Sequence, residues 1–208
     1  MLNGAQMKYG TMIVLVTVAA ALVFPAQAQY VPDGATGPGD SARSRDDGEP
    51  HFDKLPPDPE GQAEQLRLEG KCIRAIPIFR HLASLGEGYE LARYNLGLCL
   101  FDLSKVEPDT QRAASLRQEA GENIVKAANE GLAKAQASLV VMYLDGTCVA
   151  RDPVQAGMWA LIYRANGARM AIGLPNISPA LQDRLDGLLS PQDWQQAQSH
   201  AEAWTPHS

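Results

Sequence analysis

The stretch Gly131-Leu132-Ala133-Lys134-Ala135-Gln136-Ala137-Ser138-Leu139-Val140-Val141-Met142-Tyr143 carries a spacing that recurs earlier in the chain. Ala135, Leu139 and Tyr143 follow Gly131 at intervals of four, as Ala92, Leu96 and Leu100 follow Gly88. A step of four returns to one face of a helix, so each set is an apolar stripe that begins just after a glycine. Small residues at such points let two helix axes approach closely, and the leucine one turn on fills the neighbouring groove. The same pattern at two places predicts a repeated unit.

Counting backward completes the unit. Ala75, Ala120 and Ala156 stand eleven residues before Gly86, Gly131 and Gly167. Ala83 and Ala128 stand three before the first two glycines, and Arg164 breaks the pattern in the third. Ala171 follows Gly167 by four, as Ala135 follows Gly131, while the insertion Gly86-Glu87-Gly88 displaces the count in the first copy. Each unit reads as two helices joined at a glycine, the residue that takes the left-handed cap conformation without a Cβ penalty. Fold class is therefore expected to be all-α, an α/α solenoid of antiparallel helix pairs with close contacts at Ala128 and Ala135. The loop from Tyr143 to Asp152 leaves one helix at Gly146 and enters the next with Asp152 as N-cap and Pro153 in the first turn. Ala156, Trp159 and Tyr163 then mark one buried face.

At these residues the chain resembles the Sel-1-like repeat proteins, a branch of the tetratricopeptide-related solenoids. Ala92-Arg93-Tyr94-Asn95-Leu96-Gly97 matches the family's Ala-x-x-x-Leu-Gly element. Ala127, Ala128, Gly131, Ala135, Leu139, Tyr143, Gly146, Val149, Asp152, Ala156 and Trp159 match the rest in order. Departures are Cys148 for the second turn glycine, Val140 for the glycine after Leu139, Asn123 for an aromatic, and Glu107-Pro108-Asp109 where a glycine turn is usual. The resemblance covers residues 70–171 and implies a right-handed superhelix whose concave face holds a peptide or protein domain. It also implies roles as an adaptor, assembly factor or regulator of envelope signalling. Cysteine-rich members are associated with β-lactam binding or cleavage, which makes a hydrolase the first alternative; a self-assembling structural protein is the second.

Outside the repeats the chain divides by composition. Lys8, the apolar run Met12 to Phe24 and Pro25-Ala26-Gln27-Ala28 read as a signal peptide over residues 1–28, cleaved after Ala28. Export to the periplasm or beyond is expected, with an uncleaved anchor as the only membrane association. Residues 29–60 are rich in Pro, Gly and mixed charge and cannot bury enough surface to offset ordering, so they read as a linker. The repeat domain is expected over 61–173 and capping helices over 174–208. There Ser178-Pro179 and Ser190-Pro191 open two helices, with Leu181, Leu185 and Leu188 on one apolar stripe and Trp194, Ala197, Ala201 and Trp204 on another.

A formal net charge of -6 without a basic cluster argues against a nucleic-acid surface. Three cysteines in an exported chain raise the question of pairing. Cys72 near the start of one helix and Cys99 near the end of its antiparallel partner would be adjacent. Cys99 with Cys148 and an intermolecular bridge are the other options. No nucleophile motif, zinc-ligand spacing or phosphate loop is present, so no catalytic residue, cofactor or metal is assigned. Arg93, Asn95, Gln136 and Ser138 fall between the packing positions and are expected to face outward or into the groove, as candidate contacts for a protein or peptide partner.

Overall fold

The computed structural model describes residues 57–207. The signal segment expected at 1–28, its cleavage after Ala28 and most of the linker expected at 29–60 lie outside the described residues. Within them the protein is all-helical, with nine helices: α1 (Pro59–Leu68), α2 (Cys72–Ser84), α3 (Glu90–Val106), α4 (Thr110–Asn129), α5 (Ala133–Asp145), α6 (Pro153–Ala165), α7 (Gly167–Ala171), α8 (Pro179–Leu188) and α9 (Pro191–Ala203). No described helix is long and apolar enough to cross a membrane.

Each of α1 to α5 packs on its successor, and α6 then receives α8 and α9. The apolar side chains gather in two clusters. One joins α1, α2 and α3 through Ala63, Ala75, Phe79, Leu82, Ala92, Leu96 and Leu100. The other joins α4, α5, α6, α8 and α9 through Ile124, Ala135, Leu139, Trp159, Leu185 and Ala197. Helix α4 sits at the junction, with Ala120 in the first cluster and Ile124 in the second. The small residues of the repeat pattern are where the helices touch: Ala75, Ala92, Ala120, Ala128, Ala135 and Ala156 are all 0% exposed. At Gly97 an added Cβ would lie 2.6 Å from Ile124 Cγ1 and 2.9 Å from the Ala120 carbonyl oxygen, so α3 and α4 approach to backbone contact there.

The glycine turn between α4 and α5 has a defined chemistry. Gly131, at φ 94°, donates its N–H to the Ala128 carbonyl at 3.0 Å, and Leu132 donates to Ala127 at 3.1 Å. These bonds satisfy carbonyls that the helix end would otherwise leave open. The loop after α5 closes as the sequence predicts. Gly146 caps α5 in the left-handed region, Asp152 N–H donates to the Tyr143 carbonyl at 2.9 Å, and the Asp152 carboxylate accepts from Val154 and Gln155 at 3.0 and 3.1 Å. Cys148, standing where a glycine is expected, keeps a glycine-like backbone at φ 62°. Gly121 of α4 makes room for it, since a Cβ there would collide with the Cys148 carbonyl.

The third unit departs from expectation. Gly167 and Ala171 are not packing residues but lie exposed on α7, a helix of only five residues. Gly173 at φ 71° ends it, with Leu174 N–H bonded back to Arg169 at 3.0 Å, and Pro175 has no N–H with which to continue. Gly88 and Gly146 are likewise exposed and act only at turns. The α8 stripe also shifts by one residue: Leu185 is buried, Leu188 is 43% exposed, and Leu189 at 6% takes its place. Ser178 and Ser190 do cap α8 and α9, the latter with a full capping box to Asp193. Helix α9 reaches α6 at Gly157, where an added Cβ would lie 3.0 Å from Leu189 Cδ1 and 3.3 Å from Ala197 Cβ.

Candidate functional site

Three of the four candidate partner-facing residues are buried and hold helices together. Arg93 is 4% exposed, Asn95 2% and Gln136 0%. Helix α3 is flanked by α1, α2 and α4, and α5 by α4 and α6, so positions just beside the packing stripe are interior as well. Arg93 pairs with Glu130 and donates to the Ala83 carbonyl at 2.7 Å. Asn95 donates to Glu64 of α1 at 2.6 Å. Gln136 donates to the Ala128 carbonyl at 3.2 Å and accepts from Asn166 Nδ2 at 2.8 Å. Buried polar groups need such partners, and these side chains have them within the helix contacts.

Ser138 is the exception. It borders a groove of about 680 Å³ between α3 and α5 and bonds Tyr94 OH at 2.9 Å across it. Tyr94, Leu98 and Phe101 form the α3 wall, Ala137 and Val141 the α5 wall, and Cys148 lies at one end. Val141 is 41% exposed. Reading between the stripes missed these residues, although a signal was present. Tyr94 and Leu98 stand six and ten residues after Gly88, and Ala137 and Val141 six and ten after Gly131. The same two offsets therefore line the groove from both copies.

Burial pushes the Cys148 thiol up, opposed in part by Arg117 and Lys105, which disfavours the thiolate that a nucleophile requires. Burial raises Tyr143 as well, with Asp152 adding to the effect. Lys105 sits over the Phe101 ring at 4.0 Å and pairs with Asp102 at 2.7 Å. Among the described residues no group of His, Cys, Asp and Glu is arranged to hold a metal ion.

Cys72 and Cys99 are bridged, their Cα atoms 5.1 Å apart, tying α2 to α3; Cys148 is the free cysteine. Two more cavities, of about 740 and 760 Å³, lie near the α4–α5 turn on either side of Pro206. Searches against protein-family models, curated proteins and solved structures each return no match for this chain.

Proposed function

We propose that this protein is an exported, non-catalytic scaffold of the Sel-1-like type, whose helix pairs form an α-solenoid that holds a protein or peptide of the cell envelope in the groove between α3 and α5. The observation that carries this reading is the groove's construction from equivalent positions of two copies, Tyr94 with Ala137 and Leu98 with Val141. A surface that repeats with the unit offers an extended partner the same contact in each register. Its walls are mainly apolar with a few polar groups, which suits a peptide side chain better than a charged metabolite.

The alternation of helices supports the solenoid. Glu64 meets Asn95, Arg164 meets Gln182, and Asp145 meets Arg184. The first and last of these contacts join α1 to α3 and α5 to α8, as stacking within one layer of a two-layer arrangement would. The bridge between Cys72 and Cys99 suits an oxidising compartment and hence export. End-to-end self-assembly is disfavoured by the outer face of α9, where Gln192, Gln195, Gln196 and Ser199 are exposed and polar.

The test is in-cell crosslinking of a tagged, exported copy followed by affinity capture and mass spectrometry, in parallel with Leu98→Asp. One dominant partner that the substitution removes is the expected result. A partner retained by Leu98→Asp, or hydrolysis of a chromogenic β-lactam by the purified chain, would overturn the reading.

A further inference from the structure

The segment that follows α9 is held in an unusual way. At Trp204 the backbone turns extended, with φ -78° and ψ 135°, and Trp204 to His207 form no helix or strand. Both ends of this short run fasten to one residue, Asn129, the last of α4. The Trp204 indole N–H donates to Asn129 Oδ1 at 3.2 Å, and the His207 backbone N–H donates to the Asn129 carbonyl at 2.9 Å. The Trp204 ring stands edge-on to Trp159, centroids 5.9 Å apart. Thr205, Pro206 and His207 are exposed between these anchors, and Pro206 borders an open cavity on each side.

A short extended run, with an aromatic anchor at one end and a main-chain hydrogen bond at the other, is how a bound peptide lies on a receptor. Here the receptor elements belong to the body of the fold, Asn129 on α4 and Trp159 on α6, and Leu161, Ile162 and Ala165 of α6 line the apolar cavity beside the indole. The run is held by its two hydrogen bonds to Asn129, by the ring pair, by packing of Trp204 against the apolar cluster, and by the Trp204 N–H bonded back to Ala201 at 3.3 Å, each a modest net gain over water. Helix α9 has its own attachment to α6, through Ala197 and Trp194 at Gly157.

We propose that Trp204–His207 is a built-in stand-in for a partner peptide: the surface made by Asn129 and Trp159 binds an extended peptide that carries an aromatic residue followed two positions later by proline, and the chain's own segment closes that site until a partner displaces it. Asn129 is the discriminating group, since its side-chain and main-chain oxygens accept one donor from each end of the peptide. The aromatic ring replaces the indole against Trp159, and the proline follows the extended path of Pro206. Because the tethered segment competes at high effective concentration, a free peptide sees only the fraction of molecules whose site is open. This inference rests on the peptide-scaffold reading above and adds a second, self-regulated site to it.

The test uses a fluorescein-labelled peptide with the sequence of residues 203–208, titrated by anisotropy into the full chain and into Trp204→Ala. Trp204→Ala is expected to bind on the order of tenfold tighter or more, the gain for a site otherwise open a tenth of the time or less. Adding Asn129→Ala is expected to abolish that gain. Equal binding by wild type and Trp204→Ala, or a gain indifferent to Asn129→Ala, would overturn the proposal. A wild-type dimer that Trp204→Ala converts to monomer would also overturn it, assigning the site to a second copy. Should Trp204→Ala fail to fold, hydrogen exchange on the unmodified chain decides. Excess unlabelled peptide must speed exchange at the His207 amide and leave the α9 amides unchanged; no change at His207 sinks the idea. Failure here leaves the groove between α3 and α5 and its crosslinking test intact.

Discussion

Arg93 and Gln136 occupy the same place in successive copies and do the same work. Each stands five residues after a turn glycine, Gly88 or Gly131, and each donates to the carbonyl of the corresponding alanine in the preceding helix, Ala83 or Ala128. One side chain is a cation and the other a neutral amide, so the repeat preserves the hydrogen bond and not the residue. The bond adds a side-chain donor at the end of the preceding helix, and in the second copy the Ala128 carbonyl also accepts from the Gly131 N–H.

Gln136→Ala should therefore destabilise the protein by about 1–3 kcal/mol, since it strips a partner from the Ala128 carbonyl and from Asn166 in a fully buried place. Arg93→Ala should cost more, on the order of 3 kcal/mol, because Glu130 is left nearly buried without its cation. Urea unfolding of both variants checks the order. A Gln136→Ala variant as stable as wild type would show that the bond contributes nothing.

Gly121→Ala is expected to cost about 1–3 kcal/mol by forcing the new methyl against the Cys148 carbonyl. Gly187→Ala on α8, where nothing lies within 4 Å, should be neutral or slightly stabilising. Thermal melting of the pair separates close approach from helix propensity.

At Cys148 the left-handed backbone sets the tolerance. Cys148→Gly should stay within about 1 kcal/mol of wild type, whereas the β-branched Cys148→Val should lose more than Cys148→Gly by at least about 1 kcal/mol. Equal stability of the two would mean that the turn readjusts.

Burial raises the Cys148 thiol, so the folded state holds this proton more tightly than the unfolded chain does. Its contribution is present in full below the unfolded thiol value of about 8.5 and is lost as pH climbs from there through the folded value. Denaturation curves across that window should show stability falling with pH, and Cys148→Ala should flatten the slope. A slope unchanged in the variant would assign the effect to other groups.

Reduction of the Cys72–Cys99 bridge, or its replacement by paired serines, should cost roughly 2–4 kcal/mol. Peptide mapping of the oxidised protein after alkylation should find label on Cys148 alone. Label on Cys72 would overturn the pairing.

The sequence by itself determined the helical class, the turns and the close contacts. Local chemistry suffices for these: a glycine at positive φ ends a helix wherever it stands, as at Gly131, and Asp152-Pro153 or Ser190-Pro191 opens one from hydrogen bonds made within a few residues. Alanines spaced for helix contact, such as Ala92 and Ala135, must be covered by something. Tertiary structure alone decided which helix does the covering, and with it the fate of every residue beside the stripe. Periodicity places Arg93, Asn95 and Gln136 near the edge of a helix face, but whether that edge meets water depends on how many helices flank it, and α1, α4 and α6 close it off. In the third unit local chemistry ends the expected second helix, and tertiary packing supplies its replacement. Gly173 and Pro175 stop α7 after one turn, and distant segments take its place: α8 and α9 on α6, and Trp204 on Asn129 across 75 positions of chain. A hydrogen bond over that separation leaves no spacing in the sequence, because its two partners are brought together only by the packing of everything between them.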